Sequence, residues 1–480
     1  MHKKHSQKHT KKNNKKHIKK TTKKHSHKHT ISKHKHILST NGLKLYKNGS
    51  GTRLVVTPTR HETKTASLYF YFKVGSKNET PEVNGISHFI EHMLFKGSPK
   101  YPNYLDISKT FDANGISFNA YTSKDITAYH YTFLSTKENL DLICDITHEM
   151  IFNSLIRDKD IKPERNVIIQ EYNDGIDDID DFINCKLEQC LFEGHPLGST
   201  IIGTLDTLNK ISREQIFNYY KKYYTPDNLV IGISGYINND YMNILQKYFK
   251  DSKNSNDNQF KPIDIKNYKQ GSSAIIPFVD KHPSYRINCF PKSLSQDYIN
   301  IIFKTKGYFD PNIYYYKLLV NILGGNMSSR LFIEIREKLG LAYSIKCEMT
   351  NYEEIGYFNI YSQNEIKDTI KCIENIFKEL VKLNKYGVDA TELKNNKKNY
   401  CDIYKTNFDD IEYENEFYSN QLLLNKPLET IQGRIDKIEA ITSDQIKDAA
   451  NELFNFHKVH IITFGKIKKD KIENFMKKFM

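Results

Sequence analysis

The chain has 480 residues, 38% hydrophobic and 27% charged, with a formal net charge of +14. That length exceeds one ordinary domain of about 100–200 residues, and no apolar run approaches the roughly 18–20 residues of a membrane-spanning helix. The charge sits at one end: residues 1–36 hold 14 Lys, 9 His and no acid, leaving 57 basic against 57 acidic side chains, which excludes a strongly basic folded body built for nucleic acid.

In chain order, residues 1–40 come first as a Lys/His-rich tail. Such a segment cannot bury enough apolar surface to offset its ordering entropy and is expected to be disordered. It lacks the apolar core of a secretory signal, and it lacks the Arg residues and amphipathic period of a mitochondrial presequence. Its expected role is solubilising, with binding of nucleic acid, another polyanion or a transition metal as the alternative. The seven Cys are odd in number, scattered and without C-x-x-C, which fits a reduced intracellular compartment, the cytoplasm first and the mitochondrion as a poorer match.

After the tail, RLVVTP (53–58) and ASLYFYFKVG (66–75) read as strands. NGISHFIEHMLFKG reads as a helix starting near Asn84 or Ser87 and stopped by Gly97. A short helix at 103–113 leads through Asn114-Gly115 into two strands, ISFNAYTS and TAYHYTFL, and helices are expected over 137–153, 159–190 and 208–223. The strand NLVIGISG closes this block. Residues 251–271 are polar and turn-rich, the composition of a linker. The second half then repeats the order of the first: helices at 311–323 and over SSRLFIEIREKLG, strands LAYSIKCEM and IGYFNIYS, more helices, and a closing KVHIITFG. Matching glycines, Gly115 with Gly340 and Gly235 with Gly465, lie 225 and 230 residues apart, as an internal duplication predicts. The expected fold is α+β: two homologous domains at 41–250 and 272–480, each a mainly antiparallel sheet packed with helices.

Within the first block, HFIEH sets His88 and His92 four residues apart, so a helix presents both imidazoles on one side. Two neutral imidazoles suit Zn²⁺, which needs a third protein ligand and an open position for water. Glu91, on nearly the same side, fits a general base better than a ligand, because coordination would tie up the base. ERNVIIQEYND offers Glu164 and Glu171, seven apart on one helix face; taken alone, two solvated acids on an amphipathic helix are the first explanation of that pattern. The corresponding stretch of the second half, YYYKLLVNIL, holds no His or acid, so one site per chain is expected.

HFIEHMLFKGS followed by ERNVIIQEY resembles the inverzincin signature of the pitrilysin/insulinase family, in the branch that contains mitochondrial processing peptidase and its bacterial relatives. NAYTSKDITAYHYTF, HPLGSTIIGTLDTLNKISREQIFNYYKKYYTPDNLVIGISG and LGGNMSSRLFIEIREKLGLAYSI extend the likeness over about residues 40–470. The resemblance implies a zinc endopeptidase for extended or unfolded peptides. His88, His92 and Glu171 would hold one Zn²⁺, Glu91 would be the base and Glu164 a supporting acid. Phe118, Asn119, Ala120 and Tyr121 would form the edge strand that a peptide joins. Arg336 and Tyr343 would hold the substrate backbone and its oxyanion from the opposite half of a clamshell. Family members with four such units close that shell alone; with two, this chain would need a partner, a second copy or else an inactive paralogue. The same fold also serves as a catalytically silent scaffold elsewhere, which is the alternative function. The acidic run Asn173 to Asp181 is expected to favour peptides with Arg or Lys near the scissile bond.

Overall fold

Two sheets with one connectivity account for the core. The computed structural model describes residues 42–58, 63–250, 259–265 and 277–479; the tail at 1–40 and most of the 251–271 segment lie outside them. The first sheet contains β1 (Lys44–Lys47), β2 (Arg53–Pro58), β3 (Thr65–Phe72), β4 (Ser117–Thr122), β5 (Thr127–Leu134), β6 (Leu229–Gly235) and β7 (Lys261–Pro262), in the order β4-β5-β3-β6-β2-β1-β7. The second contains β8 (Arg286–Pro291), β9 (Gln296–Lys306), β10 (Ser344–Asn351), β11 (Ile355–Glu365) and β12 (His460–Gly465), in the order β10-β11-β9-β12-β8. Strand for strand, the second order repeats the first five positions of the other. Each sheet is antiparallel except for one pair, β2 with β6 and β8 with β12.

The helices repeat as well. The first domain carries α1 (Ile86–Leu94), α2 (Tyr104–Ala113), α3 (Lys137–Phe152), α4 (Asp158–Asp177), α5 (Ile179–Leu191), α6 (Leu205–Lys210), α7 (Arg213–Tyr223) and α8 (Tyr241–Phe249). The second carries α9 (Ile313–Gly324), a π-helical segment over Phe332–Lys338, α10 (Thr369–Tyr386), α11 (Ala390–Asn407), α12 (Ile411–Leu423), α13 (Ile431–Glu439), α14 (Ser443–Leu453) and α15 (Lys469–Met476). The protein is therefore α+β and two-domain.

Strand alternation separates two cores on each sheet. In the first, Leu68, Phe70 and Phe72 point into a cluster with Phe89, Ile90 and Met93 of α1, while Tyr69 and Tyr71 point the other way, onto Tyr418, Leu422 and Leu423 of α12. The second sheet mirrors this: Ile302, Ile462 and Phe464 pack against Ile183, Leu187 and Leu191 of α5. Each domain thus lends its fifth helix to the back of the other's sheet. Gly232 permits the close approach of α12, since a Cβ there would lie 2.0 Å from Asn415 Oδ1. Asn415 instead donates to the Ser67 and Gly232 carbonyls at 3.2 and 2.9 Å.

Three of the expected helices differ from the sequence reading. The helix expected over 159–190 is two, because the Asp178 carboxylate accepts the N–H groups of Asp180 and Asp181 and starts α5 afresh. The 208–223 helix is also two, with Ser212 and Gln215 forming a capping box that opens α7. SSRLFIEIREKLG is π-helical over 332–338 instead of α-helical. No helix among the described residues is long and apolar enough to cross a membrane.

Candidate metal centre and active site

Helix α1 is set before any of its polar side chains can act. Its N-cap, Gly85, has φ +97°, and a Cβ there would stand 2.5 Å from the Ile202 carbonyl oxygen. Lacking a capping side chain of its own, the helix end is held by Glu79, whose carboxylate accepts the N–H groups of Gly85 and Ser87 at 2.7 and 2.8 Å. Burial pushes the Glu79 carboxyl up to about 7, with these hydrogen bonds opposing it. Phe89, Ile90, Met93 and Leu94 are fully buried against the sheet. That anchoring leaves His88, Glu91 and His92 to face α4 and β4.

Opposite them stands α4. The Oε2 atom of Glu171 lies 3.5 Å from His92 Nε2 and 3.8 Å from His88 Nε2. One ligand atom from each of the three residues falls within 4.8 Å of the others, and among the described residues no other group of three donors does so. These separations are too long for good hydrogen bonds. They do match ligands at about 2.0–2.2 Å around a tetrahedral ion, which stand roughly 3.3–3.6 Å apart. Two imidazole nitrogens, a carboxylate and an open side where Glu171 is exposed make a donor set that fits Zn²⁺.

Charge and hydrogen bonding prepare those donors. His92 Nδ1 meets Glu164 Oε1 at 2.8 Å, which turns Nε2 toward Glu171. Burial disfavours the His92 cation, but the Glu164 hydrogen bond and the nearby acids outweigh it and raise its pKa. Burial also opposes the Glu164 carboxylate, yet His92 and Lys96, both bonded to it, hold its pKa below the usual range. His88 is neutral: burial, then the neighbouring His92, push it down to about 3. Its Nδ1 is buried with no hydrogen-bond partner. Glu91 is buried, which raises its pKa, and Thr122 Oγ1 donates to its Oε2 at 2.7 Å.

β4 forms the outer edge of the first sheet. The Ser123 N–H bonds the Ile126 carbonyl at 2.7 Å and closes the β4–β5 hairpin. Antiparallel alternation then turns the backbone groups of Phe118, Ala120 and Thr122 away from β5, and those of Asn119 and Tyr121 toward it. The Ala120 N–H bonds only the adjacent Asn119 Oδ1, at 2.8 Å. The side chain of Thr122 meets Glu91, so this edge ends at the candidate centre.

His88, Glu91, His92, Glu164 and Glu171 are thus brought together, with β4 beside them. Arg336 and Tyr343 are not. Arg336 is exposed on the π-helical segment with its guanidinium 4.7 Å from the Phe332 ring centroid, and Tyr343 is 72% exposed. Neither contacts the five clustered residues among the described ones. The acidic run has local work to do, since Asp178 caps α5 and Asp180 and Asp181 occupy its first turn. Sequence reasoning missed Thr122, Lys96 and Glu79. Lys96 stands right after HFIEHMLF and Thr122 closes NAYT, but nothing local says which acid each would hold.

Two family models match the chain: "Insulinase (Peptidase family M16)" over residues 54–205 and "Peptidase M16 inactive domain" over 210–400. An uncharacterized zinc protease of Bacillus subtilis is 30% identical over 418 residues, covering 86% of this chain and 96% of the relative. One from Streptomyces coelicolor is 30% identical over 343 residues, covering 71% and 72%. Among solved structures, a protease from Helicobacter pylori superposes with a TM-score of 0.77 at 20% identity, covering 88% of this chain and 99% of that one. A structure titled as a peptidase M16 inactive domain, from Pseudomonas fluorescens, superposes at 0.76 with 18% identity, covering 89% and 98%. With five strands and eight helical segments matched between halves, a metal-type donor set found among the described residues in the first half alone, and a relative at this identity spanning nearly its whole length, the chain belongs to the insulinase family, peptidase family M16.

Proposed function

We propose that this protein is a zinc-dependent endopeptidase that cleaves extended or unfolded peptides. The observation that carries the reading is the convergence of His88, His92 and Glu171 around one point, with the Glu91 carboxyl held by Thr122 at the end of a free sheet edge. Zinc held there would act as a Lewis acid on water and on the scissile carbonyl. Glu91 takes a proton from the attacking water and delivers it to the departing amide nitrogen. Glu164 fixes the His92 ring, and Lys96 keeps Glu164 charged. A peptide adds to β4 through backbone hydrogen bonds, displacing the Asn119 side chain from the Ala120 N–H, and so is selected for extended form more than for sequence.

Arg336 and Tyr343 serve the same reaction from a second copy of the chain. Their exposure in one copy is what a group that reaches its substrate across an interface requires.

The test compares the purified chain with Glu91→Gln. About one zinc per chain is expected in both, with chelator-sensitive cleavage of an unstructured peptide in the parent only. Protein without zinc, or equal cleavage by both, overturns the reading; zinc in both without cleavage in either makes the chain a silent scaffold.

A further inference from the structure

The second domain contains a cavity of about 540 Å³ between α9, the turn after β9, the α12–α13 connection and α13. That volume is in the range of small-molecule sites. Four cationic side chains line it, Lys317, Lys426, Arg434 and Lys437, against two acids, Asp310 and Glu429.

Of the two acids, Glu429 is already engaged. Glu429 accepts from Lys437, from Arg434 Nη2 at 3.3 Å and from the Tyr314 hydroxyl. Asp310 accepts the Asn312 N–H on Oδ1 at 3.0 Å, its Oδ2 is buried without a hydrogen-bond partner, and neither oxygen reaches a cation. Lys317 and Lys426 have no carboxylate partner. Rings lie beside their ammonium groups, Lys426 Nζ at 3.8 Å from the Tyr308 centroid and Lys317 Nζ at 5.6 Å from that of Tyr314, while Asp125 and Glu353 act on Lys426, and Glu429 on Lys317, without an ion pair. Arg434 Nε and the Tyr308 hydroxyl are buried without a hydrogen-bond partner. Burial, then Lys317, pushes Lys426 down to about 8. On the adjoining α11, burial works against ionising the Tyr404 phenol, but Lys317 and Arg434 overcome it and lower its pKa. Cations outnumber acids in the lining four to two, and the fold bears the cost of crowding like charges there.

We propose that this cavity binds a small phosphate monoester with a planar body, the phosphate among Lys317, Lys426 and Arg434 and the body against the Tyr308 and Tyr314 rings. The lining's excess of two cations over acids matches the charge of about −1.5 to −2 that a phosphate monoester carries at neutral pH, where a carboxylate would match one. The flat faces of Tyr308 and Tyr314 suit an aromatic or heterocyclic group. The site is independent of the peptidase reading, since none of its residues belongs to the first domain.

Calorimetric titration of the full chain with phenyl phosphate, inorganic phosphate and benzoate tests this, with Lys317→Met and Lys426→Met in parallel. Phenyl phosphate is expected to bind most tightly, and each variant to weaken it about tenfold or more. The ligand-free variants are expected to melt no lower than the parent, because a crowded charge has gone. Inorganic phosphate or benzoate binding as tightly as phenyl phosphate overturns the assignment. So do no binding by any of the three, affinity unchanged in both variants, or a lower melting temperature in both ligand-free variants. Lys426 lies in a connection between helices, so its variant carries the test if Lys317→Met does not fold.

Discussion

Helices α1 and α9 leave equivalent strands and pack on equivalent long helices, α4 and α11, yet the first pair gathers a donor set that fits a cation, whereas the second gives Lys317 of α9 to the cavity beside α13. Glu164 and Asn396 are each the seventh residue after the N-cap of their helix, α4 and α11. Glu164 bonds His92 of α1, and Asn396 bonds Asn321 of α9 through the Asn321 amide at 2.9 Å. One turn earlier on the two helices stand His88 and Lys317; two turns later on the long helices stand Glu171 and Ile403. Each candidate metal donor is therefore matched by a residue, Asn321, Lys317 or Ile403, that is not a usual zinc ligand. The scaffold repeats, and a few side chains decide what each copy of it can hold.

The comparison can be broken most severely at Glu91. Glu91→Gln is expected to lower kcat about 10²–10⁴-fold with zinc content unchanged, measured on one unstructured peptide. Next comes Glu164→Gln, expected to weaken zinc binding about 10–100-fold in a chelator competition, while Asn396→Ala in the matching position leaves it unaltered. Third are the exchanged helices: Leu187→Ala on α5 and Leu422→Ala on α12 should each cost about 2–5 kcal/mol in urea unfolding. Because each helix seals the other domain's sheet, both variants should still unfold in one transition; two separated transitions would mean the domains stand alone.

The smallest effect is a pH dependence that sets one sheet against the other. His460 on β12 is 1% exposed, where the first sheet has Val230 on β6. Burial, then Lys304, push the imidazole down to about 4, against ~6.5 in an unfolded chain. The unfolded state takes up the proton first. Stability is therefore whole above about pH 6.5 and falls toward pH 4, by up to ~3 kcal/mol from this group. His460→Val should flatten that part of the curve in urea unfolding repeated at pH 7, 5.5 and 4.5, and an unchanged slope would show the ring to be charged in the fold.

Much of this was legible in sequence because the informative spacings are local. His88 with His92 and Glu164 with Glu171 lie on single helices, where spacings of four and seven fix the face. Glycine offsets announced the duplication. What escaped depends on packing between distant segments. β8 is short and ends in Pro291, and β9 was passed over although Ile299, Ile301 and Phe303 alternate cleanly. Thr122 and Lys96 find their acids only once β4 and α4 have folded onto α1. Asp178 read as one more acid in a run because its neighbours are acids too. The exchange of α5 and α12 left no local mark, since each reads as an ordinary half-polar helix.

That exchange also governs the order in which the molecule can be made. β6, the last long strand of the first sheet, is complete at Gly235, but the helix that covers its back begins at Ile411. At about 5–20 residues per second, a growing chain leaves Val55, Tyr69, Tyr71 and Val230 uncovered for on the order of 10–40 s. The first half thus leaves the ribosome with its α1 side able to close and its back bare until the second half arrives.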